Sequence, residues 1–96
     1  MSPASLQSAQ DARQELEKVS SLVLAARRLM AKGSLVDLSA IQERVAAICA
    51  AVESMPREDG RSLLEELTDL IRRLDSLGND IADQIRQMAD KMDRED

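Results

Sequence analysis

The chain has 96 residues, no aromatic side chain, no histidine and one cysteine, and its 18 acidic residues against 13 basic ones give a net charge of −5. That length suits one domain, with a core of Leu, Ile, Val, Ala and Met that buries less area per residue than Phe or Trp would. Without histidine the usual general base near neutral pH is missing, and with it nucleophile triads and histidine-ligated metals; a lone cysteine excludes an intramolecular disulfide, and the acidic balance repels phosphate backbones.

The first helix is expected over about residues 4–32. Ser2 is a candidate cap, with Pro3 in the first helical position, where a missing N–H costs nothing. Ala9, Ala12, Leu16, Val19, Val23, Ala26 and Met30 alternate in steps of three and four, which places them on one face. Arg27, Arg28 and Lys32 crowd the last turns, where cations suit the helix dipole, and Gly33 supplies a left-handed stop. The rise per residue makes this helix roughly 42 Å long. The start, Met1-Ser2-Pro3-Ala4-Ser5, has neither the basic residues nor the apolar run of a secretory signal. No segment approaches the ~18 apolar residues of a membrane span, so the expected location is the cytoplasm.

Gly33 to Asp37 forms the first connection, with Leu35 and Val36 expected to tuck beneath the bundle. The second helix is expected over about residues 38–55, with the stripe Leu38, Ile41, Val45, Ile48, Val52, Met55. Ser39 followed by Gln42 fits a capping box, and Asp37 is the competing cap. Pro56 ends the helix by disfavouring helical geometry in the residue before it. The helix is roughly 27 Å long. Ala46, Ala47, Ala50 and Ala51 thin its flanks, so neighbouring helices can approach closely. Cys49 flanks the stripe and reads as a small apolar residue rather than a reactive thiol, because no Lys lies near it in sequence.

The third helix is expected over about residues 61–91, after Pro56-Arg57-Glu58-Asp59-Gly60. An alternative starts it at Pro56, with Ser54 or Met55 as cap and Glu58 and Asp59 in an acidic first turn. Its stripe is Leu63, Leu67, Leu70, Leu74, Leu77, Ile81. Asp69 with Arg73 and Asp90 with Arg94 are spaced for ion pairs of ~0.3–0.5 kcal/mol each. Ile85, Met88 and Met92 follow Ile81, so two four-residue steps succeed one another, a stutter expected to rotate the seam. Gly78-Asn79 is a candidate break, kink or close helix contact, since an interior Gly costs ~1 kcal/mol relative to Ala. The whole stretch is roughly 47 Å long.

These elements define a single all-α domain over residues 1–96: an antiparallel three-helix bundle or coiled coil with a long C-terminal helix and a candidate kink at 78–79. Short connections make neighbouring helices antiparallel, so the first and third run parallel. The second is too short to cover either. The first turns of helix one and the residues after Gly78 then overhang with apolar faces, and such faces mark interaction sites.

No residue is assigned a catalytic role. Asp80 with Asp83 and Asp90 with Asp93 have the spacing of clustered carboxylates, but read as solvated faces rather than a metal site. Asp59-Gly60 is too short for a calcium loop, and three glycines make no phosphate loop. Arg27, Arg28 and Lys32, like Arg72 and Arg73, sit among acids and read as mixed-charge surface. Neither cofactor nor small-molecule substrate is implied. Ile81, Ile85, Met88 and Met92 are the candidate partner-binding residues, because Met side chains re-pack around varied partners. The competing reading makes them a frayed core end or a dimer seam. The partner is expected to be another protein or a second copy, not nucleic acid.

The order of features resembles a known family. A long first helix leads into Leu29-Met30-Ala31-Lys32-Gly33-Ser34-Leu35-Val36-Asp37-Leu38. A helix with Glu43-Arg44 and a Cys/Ala-rich end follows, and Leu63-Leu64-Glu65-Glu66-Leu67 then opens a long helix with Leu74-Asp75-Ser76-Leu77-Gly78-Asn79. Residues 20 to 85 thereby resemble the small helical export chaperones of the bacterial flagellar (type III) secretion system, with Leu35-Val36 where that family often has an aromatic. The resemblance implies an acidic cytoplasmic chaperone that masks an apolar segment of a flagellar export substrate, with the C-terminal helix carrying the contacts. A homodimeric scaffold or adaptor, or a regulator that sequesters a protein such as a sigma-type factor, fits the same residues.

Overall fold

The computed structural model describes residues 8–94. Three helices follow in order: α1 (Ala9–Ala31), α2 (Ser39–Ser54) and α3 (Arg57–Arg94). Among the described residues there is no strand.

The start of α1 differs from the sequence expectation. Ser8 is extended (φ −127°, ψ 162°), and its Oγ accepts a hydrogen bond from the Asp11 amide at 3.1 Å, so the helix begins at Ala9. Ser is a strong cap because its hydroxyl satisfies an amide that the helix leaves unpaired. The candidate cap Ser2-Pro3 lies outside the described residues. At the other end, Gly33 takes φ +93°. Its amide donates to the Met30 carbonyl at 2.9 Å, and the Ser34 amide donates to the Leu29 carbonyl at 3.0 Å. This pair is a Schellman stop, with glycine in the left-handed position.

The capping box expected at Ser39 and Gln42 does not form. Asp37 Oδ1 accepts from the Ser39 amide at 2.9 Å and from the Ser39 hydroxyl at 2.7 Å, so Ser39 donates its hydroxyl instead of receiving an amide. The two bonds to the Asp37 carboxylate hold its pKa below the ordinary value, the side-chain bond contributing most. Val36 packs against the core as expected, but Leu35 is 57% exposed. Only one of the two apolar residues of this connection can face inward, because successive residues of an extended segment point in opposite directions.

The helix α3 begins at Arg57, four residues before the favoured expectation and in line with the alternative start at Pro56. Met55 is extended (ψ 158°), as a residue before proline prefers. Glu58 and Asp59 occupy the first turn, where the helix dipole favours acids. Gly60 is buried, and a Cβ there would meet the Val52 carbonyl oxygen at 3.1 Å. Glycine thus lets α3 leave the tight corner directly against the end of α2. The helix runs unbroken through Gly78-Asn79. A Cβ on Gly78 would meet nothing within 4 Å, so that glycine serves neither a break nor a close contact.

The three stripes meet in one core. Ala12, Leu16, Val19, Val23 and Ala26 of α1 pack with Leu38, Ile41, Val45 and Ile48 of the α2 segment and with Leu63, Leu67, Leu70, Leu74 and Leu77 of α3. Ala9, Met30, Cys49, Val52, Met55 and Ile81 pack around it. The remaining contacts fix the register. Arg13 reaches Glu66 at 3.8 Å and Arg27 reaches Asp80 at 3.3 Å. Both pairs have the same offset along the chain, which requires α1 and α3 to run parallel and in step.

Candidate protein-binding surface

The molecule measures 58 × 21 × 18 Å. At the α-helical rise the 38 residues of α3 span about 57 Å, so this one helix sets the full length. Neither neighbour is long enough to follow it. The last point of contact on the α1 side is Gln84, whose Nε2 donates to the Gly33 carbonyl in a long, 3.5 Å bond. Beyond it, residues 85–94 project about 15 Å past the bundle.

Along this projection the four sequence-selected residues are not equivalent. Ile81 is partly buried and packs against the core. Ile85 is 50% exposed, Met88 51% and Met92 69%. The structure therefore assigns Ile81 to the margin of the bundle and leaves Ile85, Met88 and Met92 uncovered. The other exposed large apolar side chains among the described residues are Leu22, Leu24 and Leu29 on α1, Leu35 in the first connection, and Leu64 and Ile71 on α3 off its core stripe. Single exposed residues of that kind are ordinary; a contiguous run is not.

The expected rotation of the seam after Ile81 does not occur. A heptad stripe drifts by about 20° per repeat on a straight helix of 3.6 residues per turn, and a stutter resets it. At about 100° per residue, Ile81, Ile85, Met88 and Met92 fall within about 60° of arc, on the same line as Leu63 to Leu77. The apolar face of the projection is thus the core face of α3 continued past the ends of α1 and α2.

Charge is arranged around this face rather than on it. Asp80 meets Arg27, and Asp83 meets Arg86 at 3.3 Å. Of the carboxylates spaced like a cation site, Asp80 and Asp83 are therefore engaged with cations of the chain itself. Asp69 pairs with Arg72 at 3.9 Å and not with Arg73, the partner expected from sequence. Arg73 instead lines the outer α1–α3 groove beside Ser20 and Ser21.

Sequence reading missed one polar feature of the interior. Glu15 is 5% exposed, and its Oε1 accepts from Arg44 Nε at 2.8 Å, joining α1 to α2. Its Oε2 has no hydrogen-bond partner. The signal was present: Glu15 lies three residues after Ala12 and four before Val19, and Arg44 lies three after Ile41 and four before Ile48. Opposite charges at matching stripe-flanking positions on two antiparallel helices face each other.

No protein-family model, curated protein or solved structure matches this chain.

Proposed function

We propose that the chain is a non-enzymatic protein-binding module that uses the free end of α3 to bury an apolar segment of a partner. The observation carrying this reading is the uncovered run Ile85, Met88, Met92, continuous with the core face of α3. A second amphipathic helix laid on that face would complete the packing that α1 and α2 supply further along. The unbranched, flexible methionines suit a surface that accepts more than one shape. The resemblance to flagellar export chaperones gives the partner class: an apolar segment of an export substrate, masked in the cytoplasm before secretion. A homodimeric scaffold, or a regulator sequestering a protein partner, would use the same face.

The test starts with co-purification from the native cell and identification of the partner by mass spectrometry. The purified partner is then titrated against the wild type and the double variant Ile85→Asp, Met88→Asp. A buried, unpaired carboxylate costs several kcal/mol, so the variant should bind more than about tenfold more weakly while melting like the wild type. A variant that binds as tightly as the wild type would overturn the reading.

A further inference from the structure

We propose that Met88 and Met92 form an oxidation switch: a peroxide converts both thioethers to sulfoxides, which turns the apolar face at the free end of α3 polar and releases its partner while the bundle stays folded. The inference rests on the reading of this end as the binding element, and adds its regulation. It is carried by which side chains can be oxidised, where they lie, and what the core lacks.

The composition leaves little to oxidise. Trp, Tyr and His are absent, so the side chains open to mild oxidants are the five methionines and Cys49. Among the described residues, Met30 and Met55 are partly buried and pack against the core at the ends of α1 and α2, and Cys49 packs against it too. Met88 is 51% exposed and Met92 69%. The accessible sulfur of the described residues is thus gathered at one place.

That place is the binding face itself. Met88 and Met92 lie one helical turn apart on the core line of α3, and with Ile85 they make up the uncovered run. Leucine would give this face the same apolar character and a similar helix propensity, without a sulfur that takes up oxygen. A sulfoxide oxygen needs water or a hydrogen-bond donor, and an apolar partner segment laid over it supplies neither. Oxidising both methionines leaves Ile85 as the single large apolar side chain of the run.

The fold does not depend on either residue. The buried apolar side chains are Leu, Ile, Val and Ala, with no methionine among them. Neither Met88 nor Met92 belongs to the core or to the side chains packed against it. The disruption that sulfoxides cause in methionine-containing cores therefore has no target at these two positions.

The step is a two-electron oxygen transfer. The thioether sulfur attacks one oxygen of hydrogen peroxide, the O–O bond breaks as the S–O bond forms, and the other oxygen leaves as water with the proton of the transferred hydroxyl. Sulfur is oxidised and the peroxide reduced. Sulfoxide reductases remove the oxygen as water at the expense of two thiols, so the change is reversible.

The full chain is treated with graded hydrogen peroxide, and peptide mass spectrometry maps the added oxygen. Met88 and Met92 should be oxidised several-fold faster than Met30 and Met55, with an unchanged melting curve at the dose that converts them. Binding is read with two probes: retention on an octyl-substituted resin, and titration of the partner protein recovered by co-purification. Oxidised wild type should lose retention and bind the partner more than about tenfold more weakly. Sulfoxide reductase should restore both, and the Met88→Leu, Met92→Leu variant should keep both after the same treatment. Equally fast oxidation of Met30 and Met55, unfolding at that dose, an equal loss of binding in the leucine variant, or oxidised wild type that binds unimpaired would each overturn the proposal. In the last case the Ile85→Asp, Met88→Asp variant separates the two readings. If that variant loses the partner, the face binds and only the switch fails; if it too binds like the wild type, the binding reading falls as well.

Discussion

Leu70 sits at the centre of the bundle with 2% of its surface exposed, and Leu70→Ala should cost about 2–5 kcal/mol in chemical denaturation. The two surface glycines should behave oppositely. Gly78 has helical geometry and open space around its missing Cβ, so Gly78→Ala should stabilise by about 0.5–1 kcal/mol. Gly33 holds φ +93°, and Gly33→Ala should lose about 1 kcal/mol through strain alone. A stabilising Gly33→Ala or a destabilising Gly78→Ala would contradict the backbone described. At the Glu15–Arg44 pair the two truncations are unequal. Arg44→Ala leaves a buried carboxylate with no partner on either oxygen, a loss of about 1–3 kcal/mol, reduced because Arg44 is itself partly open to water. Glu15→Leu leaves only a guanidinium that water can reach, so it should cost less. Such residues were hard to read in the sequence because a charged side chain beside a stripe is solvated in most helices; only the pairing across two helices reveals this one as buried.

At the scale of elements, the existence and phase of all three helices were legible, because an apolar spacing of three and four leaves a helix only one face to bury. Every stripe residue from Ala9 to Ile81 packs in or against the core. The ends were less legible. Caps depend on competition between neighbouring side chains: Asp37 captures the Ser39 hydroxyl and so removes the capping box that Ser39 and Gln42 would form. That competition makes α2 sensitive to acid. The lowered pKa of Asp37 means its contribution is complete above its unfolded pKa of ~3.9 and is lost as pH falls through the folded value. Asp37→Ala should therefore melt at a lower temperature than wild type at neutral pH, and the two melting curves should converge as pH drops below about 3.9. A gap that persists unchanged at pH 2 would exclude the carboxylate as its cause. Gly78 shows the reverse error: its propensity suggested a break, but packing of Leu74, Leu77 and Ile81 on either side holds the helix continuous.

For the whole molecule, the decisive relation is one of lengths. Helices of 23 and 16 residues cannot cover one of 38, and the parallel register of α1 and α3 pushes the surplus to a single end. That surplus was readable from the sequence, as was its apolar character; its alignment with the core face was not, because the stutter looks like a rotation until the helical pitch is applied along the full stripe. Of the matching overhang expected for the first turns of helix one, residues 1–7 lie outside those described, and Ala9 and Ala12 pack against or in the core instead of overhanging. The central claim is that residues 85–94 bind and do not hold the fold together. The most direct measurement is thermal melting of the Ile85→Asp, Met88→Asp variant beside its sedimentation and partner titration. The account predicts a melting temperature within a few degrees of wild type together with lost association. A variant that unfolds outright would place Ile85 and Met88 in the core of the monomer and contradict it.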